Sequence, residues 1–569
     1  MRAPKALLRP AALSFAIAIG ALVAACNGCH HTGKPSADGA GPTTDVGVAS
    51  VRVYVVSDLA GALEPCGCQK DMLGGVDRFA ALVTRDQAKA KGAIVVSAGP
   101  LFFMDSTIKP ERLEQETWKA EAIAAGLKST GLAAFAPGKN DFAAGSMMLE
   151  ALQNKANGAL VAANLHAIAP STLKVAGHVV RDVGGIKIAI VGVSLPRRSA
   201  EETISDLTID DAAKALSAEA KKARDEGARI VVGVAAMDRG AAVRAAEGAQ
   251  DLDLLAVGSP STEGDGNDDG KAPVLVGNVL VVEPSNHLQR TAAIDFYARD
   301  QGRFGDGSNL QRAADVADLQ RQIDELARKL VAWQLDPTVL PKDVEAQRAR
   351  LEGLRGKLVE ADKPIAPPSG SFFRYELVEL RDSLGKDKAA VASMASYYQR
   401  VNAFNRDKFA GRRAPAPARG EPEFVGAESC KPCHAAPYDV WSKTKHATAY
   451  KTLADESKEF NLDCVGCHVT GYEKPGGSTV TDVKSLEAVQ CESCHGPGSA
   501  HVVDPHKAAL PTELTSSLCE SCHHPPHSSA FEFKARRQLV RGPGHGMPGA
   551  PMFNVPPKAW VSPKPRFPG

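Results

Sequence analysis

The pattern Cys-x-x-Cys-His occurs four times between residues 430 and 523, and nothing else in the chain restricts its fold as strongly. The copies are Cys430/Cys433/His434, Cys464/Cys467/His468, Cys491/Cys494/His495 and Cys519/Cys522/His523. Two thiols three residues apart on a tight turn can form thioethers with the two vinyl groups of a haem. The His beside the second thiol then ligates the iron, so each copy reads as a c-type haem attachment site. Paired Cys-x-x-Cys units also make structural zinc sites. Zinc gives no reason for a His directly after the second Cys in every copy.

At 569 residues the chain is too long for one core, and two or three domains are expected. Its 67 basic and 66 acidic residues leave no basic footprint for nucleic acid. Of its twelve Cys, eight belong to the four motifs, leaving Cys26, Cys29, Cys66 and Cys68.

Arg2, Lys5 and Arg9 precede an apolar run from Ala11 to Ala25, too short to span a bilayer and shaped like a signal peptide over residues 1–25. The junction Val23-Ala24-Ala25-Cys26 resembles a bacterial lipobox, which implies cleavage before Cys26 and lipidation of its thiol. Asn27 beside it implies sorting onward to the outer membrane. Cys26-Asn27-Gly28-Cys29-His30 is also a fifth Cys-x-x-Cys-His, but a thiol carrying lipid cannot bond a vinyl group. The lipid reading is preferred, because the motif abuts the cleavage site and leads into a Gly/Pro/Ser-rich tether, 26–49. Export and c-type haem agree, since bacteria attach such haems outside the cytoplasm.

From Val51 short apolar runs alternate with helical stretches: Val51 to Val56, Ala93 to Ser97, Ala159 to Ala163, Ile186 to Val193, Ile230 to Val234 and Leu252 to Val257. Alternation of this kind predicts an α/β domain over 50–310. Val56-Ser57-Asp58, Gly74-Gly75 with Arg78, Gly138-Lys139-Asn140-Asp141-Phe142, Ala163-Asn164 and Gly192-Val193-Ser194-Leu195-Pro196 resemble the calcineurin-like metallophosphoesterase domain of 5′-nucleotidases. That resemblance implies an α/β sandwich with two metals held by Asp, His and Asn. Most of the ligands are missing: Asp58-Leu59-Ala60 lacks the His, Gly99-Pro100 lacks the Asp, and Gly258-Ser259-Pro260-Ser261 lacks both late His. Asp58 and Asn164 alone remain, so metal-dependent hydrolysis is not expected. Cys66 and Cys68 lie in the loop after the first strand, as a soft-metal or thiol redox site or as a local disulfide or one to Cys29.

Val316, Leu319, Ile323, Leu326, Leu330 and Trp333 recur at spacings of three and four. A second stripe follows the break at Asp336-Pro337, through Val344, Leu351, Leu354 and Leu358. Together they predict a helical hairpin over 311–365. Phe373 to Leu380 then read as a strand and Val391 to Phe404 as a helix, set down as a connector, 366–406. A Pro-rich linker, 407–423, leads into the motif region, 424–535, which is followed by a Pro/Gly-rich tail, 536–569.

The motif region has few long apolar runs, as expected of a mainly α and irregular domain whose haems serve as its core. Its further imidazoles are His446, His501, His506, His524, His527 and His545. Cys430-Lys431-Pro432-Cys433-His434, Trp441 with Lys445-His446-Ala447, Cys464 to Tyr472 and Cys491 to His501 resemble the tetrahaem cytochrome family first recognised in ammonia oxidisers. The resemblance implies four haems, with His446 and His501 as distal ligands, and electron exchange with periplasmic or membrane redox proteins. His527 is the further distal candidate. The expectation is an exported electron-transfer protein with a degenerate phosphoesterase-like domain. The alternatives are a haem enzyme acting on a small nitrogen or sulfur compound, a hydrolase, and a docking module for a redox partner.

Overall fold

The computed structural model describes residues 47–65, 72–169, 171–197, 206–335, 341–361, 369–524, 528, 531–542 and 545. Cys26, Cys29, Cys66, Cys68 and His527 lie outside these residues, as do the expectations attached to them.

Two sheets face each other. The larger runs in the order Gly305–Asp306, Phe372–Glu379, Arg290–Tyr297, Val51–Ser57, Ala93–Ala98, Leu132–Ala136 and Ala159–Leu160. The smaller runs Lys271–Val276, Val279–Glu283, Leu254–Gly258, Ile230–Ala236, Ile186–Ser194 and His178–Val183. Val51–Ser57 is buried at every position. Successive residues of a strand point to opposite faces, so Val51, Val53 and Val55 enter the layer between the sheets while Tyr54 and Val56 enter the layer beneath the helices. Strands covered on both faces read as continuous apolar runs, and this is why they were legible in the sequence.

The helices are α1 (Val76–Arg85), α2 (Leu113–Ser129), α3 (Ser146–Ala156), α4 (Ala212–Asp225), α5 (Arg239–Gly248), α6 (Leu310–Leu335), α7 (Pro341–Ala361) and α8 (Lys388–Lys408). Asp211 and Asp387 begin α4 and α8, their carboxylates accepting from the amides of Lys214 and Ala390 at 2.9 Å. Apolar residues of α1, α2, α3 and α8 cover the larger sheet, and those of α4 and α5 cover the smaller. In the hairpin, Ile323, Leu326 and Leu330 of α6 pack on Leu351 and Leu354 of α7.

One reading of the sequence is corrected here. The strand and helix assigned to a connector at 366–406 belong to the α/β body. Phe372–Glu379 pairs antiparallel with Arg290–Tyr297 along its whole length, and Met394, Tyr397 and Val401 of α8 enter the same apolar layer as Ile123 and Leu127 of α2. The hairpin therefore interrupts a domain whose last strand and helix follow it. Chain order alone does not reveal which sheet accepts a strand.

Residues 409–542 form short helices and turns around a small apolar cluster of Phe409, Val465, Val469, Val480 and Val483. Phe409 and Arg412, from the expected linker, dock here: the Phe409 carbonyl accepts from Thr481 at 2.6 Å and Arg412 pairs with Glu473 at 3.0 Å. The segment entering the second motif is held against the α/β body. Lys458 meets Glu64 at 2.6 Å, the Phe460 carbonyl accepts from Asn405 at 2.9 Å, and Asp463 pairs with Lys119 at 3.0 Å and with Arg112. No helix of the described residues is long and apolar enough to cross a membrane.

Candidate functional site

Each motif folds as a single tight turn. In the first, the amides of Cys433 and His434 donate to the Cys430 carbonyl at 3.2 and 2.9 Å. In the fourth, those of Cys522 and His523 donate to Cys519 at 3.1 and 2.8 Å. The second and third motifs end in the helical turns Val465–His468 and Cys491–His495. Bonds three and four residues back bring both thiols and the imidazole to one side of the turn. All eight thiols are half-buried and none is in a disulfide. Burial pushes the Cys494 thiol up to about 11, with Cys519, Cys491 and Cys522 adding to it, so the third and fourth motifs are neighbours.

Three motif imidazoles face a second imidazole. His434 lies 6.2 Å from His501 between ring centres, with planes 26° apart. His523 lies 6.0 Å from His446 at 43°, and His495 lies 6.5 Å from His545 at 16°. An iron ligated on opposite sides by two imidazole nitrogens, each about 2 Å away, holds the ring centres about 6 Å apart. These pairs therefore fit an iron between them. Among the described residues no three His, Cys, Asp or Glu side chains converge on one point, whereas a structural zinc takes four ligands.

Tautomers fit as well. The Nδ1 atoms of His468, His495 and His501 lie 2.7, 2.7 and 2.9 Å from the carbonyls of Ala449, Pro511 and Ala508. A carbonyl only accepts, so each Nδ1 carries the proton and each Nε2 is left with its lone pair for a metal. Burial lowers the pKa of His446, with the charge of His523 adding to it, and burial likewise lowers His523 and His545. All three shifts favour the neutral, ligating form.

His446 was expected on a short helix continuing from Trp441. The helix instead ends at Trp441, and His446 sits on a separate 3₁₀ turn, Lys445–Thr448. The Trp441 indole donates to the Val489 carbonyl at 2.8 Å and the Val489 amide donates to the His446 carbonyl at 3.2 Å. These bonds place the turn beside the third motif. His545, in the Pro/Gly-rich tail, was one of several spare imidazoles in the sequence. Its pairing with His495 has no local signal, because it depends on a fold that brings distant turns together. His524 instead lies 3.8 Å from Asp265 of the α/β body.

At the carboxyl ends of the strands, the remnant ligand positions are bonded within the protein. Asp58 Oδ1 accepts from the Ser259 amide at 2.8 Å. Burial pushes Asp58 up to about 8. Gly99 takes a φ of +83°, and a Cβ there would lie 1.9 Å from Asp58 Oδ1, so only glycine fits. Asn164 joins strand ends, its amide donating to the Ser194 carbonyl at 2.7 Å and accepting from the Ser194 amide at 2.9 Å. Asp141 accepts from the amides of Leu101, Phe102 and Gly138.

Residues 429–496 match the family described as cytochrome c554 and c-prime. Cytochrome c-554 of Nitrosomonas europaea is 40% identical over 129 residues, covering 20% of this chain and 55% of that protein. The α/β body is similar to calcineurin-like phosphoesterases. A 5′-nucleotidase precursor from Thermus thermophilus aligns at 17% identity over 67% of this chain and 62% of its own, with a TM-score of 0.42. YfkN from Bacillus subtilis aligns at 12% identity over 62% of this chain and 97% of its own, with a TM-score of 0.39. The C-terminal region is a multihaem cytochrome c of the cytochrome c554 kind, joined to an α/β body with a phosphoesterase-like fold.

Proposed function

We propose that this chain is exported, carries four covalent haems, and passes electrons between redox proteins on the periplasmic side of a membrane to which Cys26 anchors it by lipid. The observation that supports this reading most directly is the set of three facing imidazole pairs, His434/His501, His523/His446 and His495/His545. Bound haem supplies a one-electron couple. The carbonyls of Ala449, Pro511 and Ala508 fix three ring orientations, and two imidazoles per iron keep the coordination the same in both oxidation states. An electron can then enter and leave with little rearrangement. A potentiometric titration of the visible spectrum, with the haem count from intact mass, tests this. Four haems that reduce reversibly support it, and fewer than four contradict it.

His468 favours a second reading, because no second imidazole ring faces it among the described residues. An iron held there with one open position would suit a haem enzyme acting on a small nitrogen or sulfur compound. A high-spin signal that shifts with cyanide or nitric oxide separates the two readings.

A further inference from the structure

The wall that α2 and α8 raise beside the second motif carries two buried donors with nothing to donate to. Tyr397 and Tyr398 stand on α8 with ring centres 4.8 Å apart, and both lie within electrostatic reach of the Cys464 sulfur. Tyr398 donates to Glu64 at 2.6 Å. Tyr397 is only 4% exposed, and although the Asn461 side chain is near, its hydroxyl makes no hydrogen bond among the described residues. On α2, Gln115 is 1% exposed. Its Oε1 accepts from the Leu462 amide at 2.9 Å and from Asn405 Nδ2 at 3.1 Å, which fixes the orientation of the side-chain amide. Nε2 is thereby left buried without an acceptor.

A buried donor without a partner bears the full cost of its lost hydration, and such atoms are few in folded proteins. Two of them beside the residues that lead into Cys464 point to an acceptor that is not part of the polypeptide. The group implied by Cys464 and Cys467 has such acceptors: a haem carries two carboxylate side arms.

We propose that α2 and α8 form a binding site for the carboxylates of the haem carried on Cys464 and Cys467, with the Tyr397 hydroxyl and the Gln115 side-chain amide as donors. This rests on the reading of that motif as a haem site. The α/β body is then part of the second haem's environment. Donors that offset carboxylate charge leave the ferrous state less disfavoured, so the wall raises the potential of this one haem.

The test uses the full-length holoprotein with Tyr397→Phe, Gln115→Leu and the double variant, each titrated potentiometrically with the haem count checked by mass. The proposal expects four haems throughout, with one of the four potentials lowered in each single variant and lowered further in the double. Tyr397→Phe removes one oxygen from a helix interior; should it fail to fold, Gln115→Leu is read in the same way. Unchanged potentials in a fully loaded variant overturn the proposal, as does an equal shift of all four haems. A wild-type chain lacking the second haem instead overturns the functional reading on which the proposal rests.

Discussion

Glu492, inside the third motif, accepts hydrogen bonds from the Gly426 amide at 2.7 Å, just ahead of the first motif, and its side chain is almost fully buried. The same carboxylate takes the amides of Val425 at 3.0 Å and Gly498 at 2.7 Å. One side chain thus ties the first motif's approach to the third motif and to the helix carrying His501. Glu492→Gln keeps the shape but gives up the charge and one acceptor. It should lower stability by about 1–3 kcal/mol in denaturant titrations. A change within a few tenths of a kcal/mol would show that the tie is dispensable.

Asp463, directly before Cys464, takes Lys119 and Arg112 from α2. Lys119 is largely buried but keeps Glu116 at 2.7 Å, so removing Asp463 does not strand it. Asp463→Ala should therefore cost about 1–2 kcal/mol, and it should speed proteolysis between α8 and the second motif. Equal cleavage rates in variant and wild type would show that the α/β body and haem region are held together elsewhere.

The imidazole pairs predict three separable variants. His446→Ala, His501→Ala and His545→Ala should each convert one haem from low to high spin and open it to carbon monoxide. Each should also raise that haem's potential, because a strong donor to the ferric iron is lost. His506→Ala, at an imidazole outside the three pairs, serves as the control. A low-spin spectrum unchanged in His545→Ala would remove that residue from the third motif.

The haem attachment sites were legible because the spacing in Cys430/Cys433/His434 and its repeats is itself the chemistry. The buried strands showed for a similar reason: Val51 to Val56 are apolar on both faces because both faces are covered. Long-range relationships were not legible. Phe372–Glu379 joins a sheet begun at Val51 after a helical hairpin has intervened, and no local pattern marks that return. His545 finds His495 only in the folded chain. Gln115 and Tyr397 looked like ordinary core residues, and only the unpartnered atoms of the folded structure set them apart.

Asp58 gives a pH prediction. Its carboxyl is pushed from 3.8 up to about 8, chiefly by burial, with the Ser259 amide pulling the other way. The folded protein then holds a proton that the unfolded chain releases. Asp58's contribution to stability is complete below about pH 4, declines as pH rises, and is gone above about pH 8. Asp58→Asn keeps an acceptor for Ser259 and cannot ionise. The stability of the variant relative to wild type should rise between pH 4 and 8, as followed by thermal unfolding. A difference independent of pH would mean that Asp58 is ionised when buried.

The most direct measurement is the redox-titrated visible spectrum of the purified holoprotein, taken with its intact mass. The account predicts a mass increment of four haems, reversible reduction, and low-spin spectra for the three haems whose imidazoles are paired. Fewer than four haems, or zinc bound at the Cys pairs, would contradict it.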